Sequence, residues 1–109
     1  MNKPVLHLNL KSVWFDMILS GLKKEEYREI KPYWERRFGK ELCSILIKNQ
    51  PWHPAFVTIC FSNGYSKDRR QFYIDCKDLV IGEGNPEWGA EKGKQYFILK
   101  LGDNVERVA

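Results

Sequence analysis

Between Gly21 and Arg28 the chain reads Gly-Leu-Lys-Lys-Glu-Glu-Tyr-Arg, setting cations and carboxylates where a helical pattern gives way to a strand pattern. Alternation from Lys24 to Ile30 puts Glu26 and Arg28 on one face of that strand and Glu25, Tyr27 and Glu29 on the other. Same-face neighbours two apart are within reach, so the Glu26 carboxylate and the Arg28 guanidinium can hold each other in place. Lys23 and Glu26, helped by Glu83 or Glu87, also have the side-chain types for acid and base in nuclease-like cleavage. A chain of 109 residues hides few charges, so the cluster is expected on a rim, paired within itself or open to a ligand. The plainer alternative is a solvated, salt-bridged turn.

The other candidate residues point to an anionic partner. The net charge of +4 lies wholly in the first half: residues 1–54 hold ten Lys/Arg against six Asp/Glu, and residues 55–109 hold eight against eight. Seven basic residues between Lys23 and Lys40 are interleaved with Tyr27, Tyr33, Trp34 and Phe38, a mixture suited to a polyanion whose bases stack. Arg36 and Arg37 belong to this stretch, and Lys67, Arg69 and Arg70 extend it from a later loop. Asn63, Tyr65 and Ser66 can read base edges, although Asn63-Gly64 is first of all a turn signal. Trp88, between Pro86 and Gly89, either plugs one end of the fold or offers its ring to a base. The Gly82-Glu83-Gly84 loop is not followed by a helical pattern, which removes a dinucleotide cradle. Cys43, Cys60 and Cys76 are too widely spaced for a zinc knuckle, and His7 and His53 do not complete one, so no metal site is expected.

These residues must be positioned by short elements. Val5 to Leu10 alternates as a half-buried strand, with His7 and Asn9 on one face. Ser12 suits an N-cap, and Trp14, Met17, Ile18 and Gly21 follow at helical spacing, with Trp14 and Met17 expected in the core and Gly21 as the left-handed stop. Pro32 suits the first turn of a second helix ending near Gly39. Leu42 to Ile47 is largely apolar, Asn49 to Pro54 is a loop, and Ala55 to Phe61 reads as a buried strand. Gln71 to Ile81 reads as a returning strand, bent where Asp75 to Asp78 interrupts it. Tyr96 to Leu101 closes the sheet before a polar tail from Asp103. The sum is one α+β domain of five or six strands with two short helices near its N-terminus. With 43% hydrophobic residues it can fold without disulfides or metal, and its odd cysteine count suits reduced, buried thiols. No apolar leader or span of membrane length is present, so a cytoplasmic protein is expected.

Gly21, Lys23, Glu26 and Arg28 match Gly-x-Lys-x-x-Glu-x-Arg, which resembles the signature of the ASCH domain, a small relative of the PUA superfamily of RNA-binding folds. The resemblance covers most of the chain. It runs through the Val5 to Leu10 strand, the Trp14 helix, Lys31 to Arg37, Phe61 to Ser66 and Gly84 to Gly89, in the manner of small single-domain bacterial and phage ASCH proteins. It implies a PUA-like mixed β-barrel with two or three short helices and a cleft lined by Lys23, Glu26 and Arg28. The implied ligand is RNA or a nucleotide, without a cofactor. Lys23 would supply charge to a phosphate or carbonyl, Arg28 a planar fork of donors, and Glu26 would orient Arg28 or accept from a base amino group. Some small ASCH relatives are amidohydrolases on acetylated cytidine with a Thr nucleophile in the signature. Glu26 holds that position here, and a carboxylate cannot take over the hydroxyl's acyl-transfer role. Other relatives are ribonucleases. The expectation is a non-catalytic RNA- or nucleotide-binding module. The alternatives are a small hydrolase using Lys23 and Glu26, with Glu87 in support, and a protein-interaction module.

Overall fold

The alternation of leucines with His7 and Asn9 sets the first strand. In the computed structural model, which describes residues 5–38 and 58–108, β1 (Val5–Asn9) buries Leu6 and Leu8 and leaves His7 exposed. Helix α1 (Ser12–Leu19) follows, with Lys11 as its extended N-terminal boundary. Ser12, expected as the cap, is instead the first helical residue, and its hydroxyl donates to Asn63 Oδ1 at 3.2 Å. The helix buries Phe15 and Ile18, while Trp14 and Met17, expected in the core, are only half-buried. Both pairs are three apart, so the helix is turned by one position from the expected phase.

Gly21 stops α1 at φ +88°, the left-handed conformation that favours glycine. Its amide donates to the Ile18 carbonyl at 3.1 Å and that of Lys23 to Met17 at 3.0 Å, which turns the chain into β2 (Glu25–Glu29). A second helix, α2, spans residues 32–38, headed by Pro32 where a missing N–H costs nothing. The apolar run 42–47 and the loop 49–54, with Cys43 and His53, lie outside the described residues. The remaining elements are β3 (Thr58–Asn63), β4 (Arg70–Glu83), a 3-10 turn at Pro86–Trp88 and β5 (Gln95–Arg107).

Among the described residues five strands form one mixed, half-barrel sheet in the order β1-β3-β4-β5-β2, accompanied by two α-helices, an α+β arrangement. β1 runs parallel to β3, and every other pairing is antiparallel. β1 and β2 are its edges. The curl brings them within side-chain reach, and Arg28 Nη2 on β2 donates to the Asn9 carbonyl on β1 at 2.9 Å. Inside, Phe15, Phe38, Phe61 and Phe72 pack with Ile18, Ile59 and Leu99, the Phe15 and Phe72 rings edge to face at 4.9 Å. A smaller cluster of Tyr27, Ala90, Tyr96 and Ile98 packs against Trp88 of the 3-10 turn.

β4 bends where its apolar run is interrupted, through register shifts between Ile74 and Cys76 and between Cys76 and Asp78. β5, expected to give way to a polar tail at Asp103, continues to Arg107 by pairing Val105 with Ile74 and Arg107 with Phe72. A backbone ladder needs no apolar side chains, so polar composition did not disclose this extension. Cys60 and Cys76 are free and buried; burial pushes both thiols up, that of Cys76 to about 12, which keeps them protonated. Among the described residues no helix is long and apolar enough to cross a membrane.

At the bend, the backbone of buried Gly102 lies against the Asp75 carboxylate, which accepts from the Asn104 amide at 3.0 Å. A Cβ on Gly102 would occupy the carboxylate's position. Gly102→Ala should therefore cost roughly 1–3 kcal/mol in urea unfolding. Adding Asp75→Ala should recover part of that loss, by at least about 0.5 kcal/mol relative to additivity. Strictly additive losses would show that the two groups do not compete for space.

Candidate functional site

β2 carries the charged cluster into the interior, not onto a rim. Lys23 is 1% exposed and Glu26 4%. One oxygen of Glu26 accepts from Lys23 Nζ and the other from Arg28 Nη1, so a single carboxylate is held between two cations. The Glu26 and Arg28 pairing expected from strand parity is present, but the expected exposure is not. Burial is tolerated because both carboxylate oxygens are engaged and the Lys23 ammonium also lies over Trp14 and Tyr27, 5.2 and 5.6 Å from the ring centroids. Burial pushes the Lys23 pKa down from 10.5, against the opposing pull of Glu26.

Arg28 has the widest set of contacts. Beyond Glu26 and Asn9, Nη1 donates to the Tyr27 carbonyl at 3.1 Å, and the guanidinium lies 5.1 Å over Trp34. Its Nε is buried and finds no partner among the described residues.

Two cavities meet at this guanidinium. The larger, about 980 Å³, is floored by β1 and carries Lys11, Arg28, Arg37 and Arg69, with Tyr33 from α2 and Tyr65 from the β3–β4 loop. Among the described residues no Asp or Glu lines it. Tyr65 is 88% exposed and Tyr33 50%. The smaller, about 360 Å³, is walled by Trp14, Trp34, Trp88, Tyr27 and Tyr96, with Glu29, Glu91 and Lys94 also lining it. Arg28 and Trp34 belong to both.

The residues singled out from the sequence divide between these spaces. Arg28, Arg37, Asn63, Tyr65 and Arg69 line the larger cavity, and Glu26, Arg28 and Trp88 the smaller. Lys23 lines neither; it borders a third space of about 190 Å³ beside Gly21, Lys24 and Asp103. Arg36, Lys67, Glu83 and Glu87 are exposed and line none of the three. Arg36 is separated from Arg37 by one helical step of about 100°, enough to take it off the cleft wall. Asn63 has its amide committed: Nδ2 donates to the Leu10 carbonyl at 3.1 Å, and Oδ1 accepts from Ser12 and Arg70. It fastens β3 to the start of α1. Arg70 is likewise structural, pairing with Asp16 at 2.8 Å and lying 4.6 Å over Phe15.

Lys11 was not foreseen, although it continues the alternation that puts His7 and Asn9 on one face. Trp14 was missed as a cavity wall because the helix phase was one position off. Trp88 is half-buried, so it neither plugs the barrel nor stands free; its ring packs on the Tyr27 cluster and borders the smaller cavity. Its turn is tied down on both sides. Asn85 Oδ1 accepts from the Glu87 amide, and the Asn85 amide donates to Tyr27 Oη, both at 2.9 Å. Gly89, at φ +98°, lies so close to the Trp14 ring that a Cβ there would meet it at 2.9 Å.

A scan against protein-family models finds no match, and searches of curated proteins and of solved structures find no significant similarity.

The buried trio makes an ordered forecast. Glu26→Gln leaves two buried cations without their counter-charge and should cost about 3–5 kcal/mol. Lys23→Met keeps the Glu26 and Arg28 pair and should cost clearly less in the same urea titration. Equal losses would mean that the carboxylate is not the centre of the cluster.

Tyr27 makes a second forecast, in pH. Burial, together with its hydrogen bond to Glu25 at 2.6 Å, pushes the phenol above its ordinary 10.0. Folding then favours the protonated phenol, so its stabilisation is complete below pH 10.0 and is lost as pH rises towards the raised value. Lys23 acts in the opposite sense, favouring the fold as pH climbs to 10.5. Tyr27→Phe removes only the first effect, and unfolding measured across this range should show a smaller alkaline loss in the variant. An unchanged profile would detach that loss from Tyr27.

Proposed function

We propose that the chain is a single-domain, PUA-like module of the ASCH type that binds RNA or a nucleotide in the larger cavity. The observation that carries this reading is the lining: four cations and two exposed tyrosines, with no carboxylate among the described residues. Cations in that number follow a phosphate backbone, and phenol rings accept bases whatever their sequence. The ordered run of segments resembling ASCH domains supports the same assignment, as does the half-barrel with its helices.

The hydrolase alternative asks Lys23 and Glu26 to touch a substrate. Lys23 lines neither main cavity, and both oxygens of Glu26 are engaged, so the pair serves to orient Arg28 and not to exchange protons with a ligand. Binding without turnover is the reading this geometry favours.

Affinity for short single-stranded RNA should fall steeply with salt. Arg37→Ala should lower the slope of log K against log salt by roughly one, whereas Arg36→Ala should leave it unchanged. Tyr65→Ala should weaken binding by roughly 1–3 kcal/mol without changing thermal unfolding. Salt-independent affinity, or equal effects of the two arginines, would overturn the assignment of the cleft.

A further inference from the structure

We infer that the smaller cavity receives the base of a nucleotide whose phosphate lies in the larger one, so that the two spaces together fix the direction in which the nucleotide is held. This rests on the reading of the larger cavity as the RNA site and assigns the smaller one an occupant.

Charge separates the two spaces. Among the described residues the larger is lined by Lys11, Arg28, Arg37 and Arg69 and by no carboxylate, whereas the smaller sets Glu26, Glu29 and Glu91 against Arg28 and Lys94. Both cations of the smaller space already have counter-charges, Arg28 in Glu26 and Lys94 in Glu29 at 3.8 Å. A phosphate is therefore drawn to the first space and turned away from the second. A neutral base has no such bias and gains from flat aromatic surface.

The smaller space supplies that surface. Trp14, Trp34, Trp88, Tyr27 and Tyr96 line about 360 Å³, near the lower limit of ligand pockets and room for one planar heterocycle. Four of these rings already have one of the protein's own cations over them, Lys23 at Trp14 and Tyr27, Arg28 at Trp34 and Lys94 at Tyr96. A cationic guest would add like charge beside those rings, so the space suits a neutral one. Among the described residues Trp88 is the lining ring with no cation over it, and the two bonds of Asn85 pin the turn that carries it. Its half-buried indole is the stacking platform.

Continuity joins the two halves of the site. Arg28 and Trp34 line both spaces, and Arg28 is held at that wall by Glu26, the Tyr27 carbonyl and the Asn9 carbonyl. A nucleotide straddling the wall keeps its phosphate among the cations and its base among the indoles.

The test titrates a labelled adenylate hexamer and a labelled hexamer of abasic spacer phosphates into the chain, by fluorescence anisotropy across a salt series. Trp88→Ala, checked for folding by its melting curve, should weaken the adenylate roughly tenfold, leave the abasic hexamer within about twofold and keep the salt slope of both. Arg37→Ala should instead weaken both ligands and lower both slopes. A second measurement needs no variant: an oligomer carrying iodouridine, irradiated on the native chain, joins its base to the ring on which it stacks. Adducts on Trp14 or Trp88 are expected. Equal weakening of the two hexamers by Trp88→Ala, or adducts confined to Tyr33 and Tyr65, would overturn the base pocket and leave the cleft assignment standing. Failure of both hexamers to bind the native chain would overturn both.

Discussion

The Glu26 carboxylate, held at one oxygen by Lys23 and at the other by Arg28, is the interaction from which the rest of the molecule takes its geometry. Ion pairs removed from water seldom add net stability, because desolvation offsets their attraction. What this one contributes is direction. With Nη1 committed to Glu26, the second arm of the Arg28 fork meets the Asn9 carbonyl, and the two edges of the sheet are joined through a side chain where no backbone ladder connects them. The same constraint brings the guanidinium to 5.1 Å from the Trp34 ring centroid at the wall between the two cavities. An arginine is required at this point, since a lysine has no planar fork with which to serve three acceptors in different directions.

The positive charge of the chain divides into cations that hold the fold and cations left for a ligand. Lys23, Lys24, Arg70 and Lys100 each face a carboxylate within 4 Å. Lys11 and Arg69 face none among the described residues, and Arg37 spends its donors on the His7 carbonyl and the Tyr33 hydroxyl, which aligns it without neutralising it. Net charge alone did not separate these groups. Position on the cleft does, and it gives a modest excess of +4 a local density that the total conceals.

Local patterns carried much of this into view. Alternation located β1 and paired Glu26 with Arg28, Gly21 marked the end of α1, and the interruption at Asp75 to Asp78 marked the bend of β4. The errors fall where long-range contacts decide. Burial of Lys23 goes with the Trp14 and Tyr27 rings lying against its ammonium, and that of Glu26 with its two cations, contacts which no local rule of charge exposure contains. The helix phase differs by one residue because Phe15 has Phe72 to pack against, across a separation that periodicity does not reach. The structural ties of Asn63 to Leu10, Ser12 and Arg70 are long-range as well, and the Asn63-Gly64 turn signal does not contain them.

Three of the chain's four tryptophans, Trp14, Trp34 and Trp88, border one small cavity, and Gly89 holds the Trp14 ring beside the turn that carries Trp88. Indole emission depends on solvent access and on charges near the ring, and here both are concentrated in a single space. Most of the protein's indoles therefore sit around one spot. Whatever enters or leaves that space alters the emission of the unlabelled chain, so the fold contains its own optical gauge of the cavity's contents.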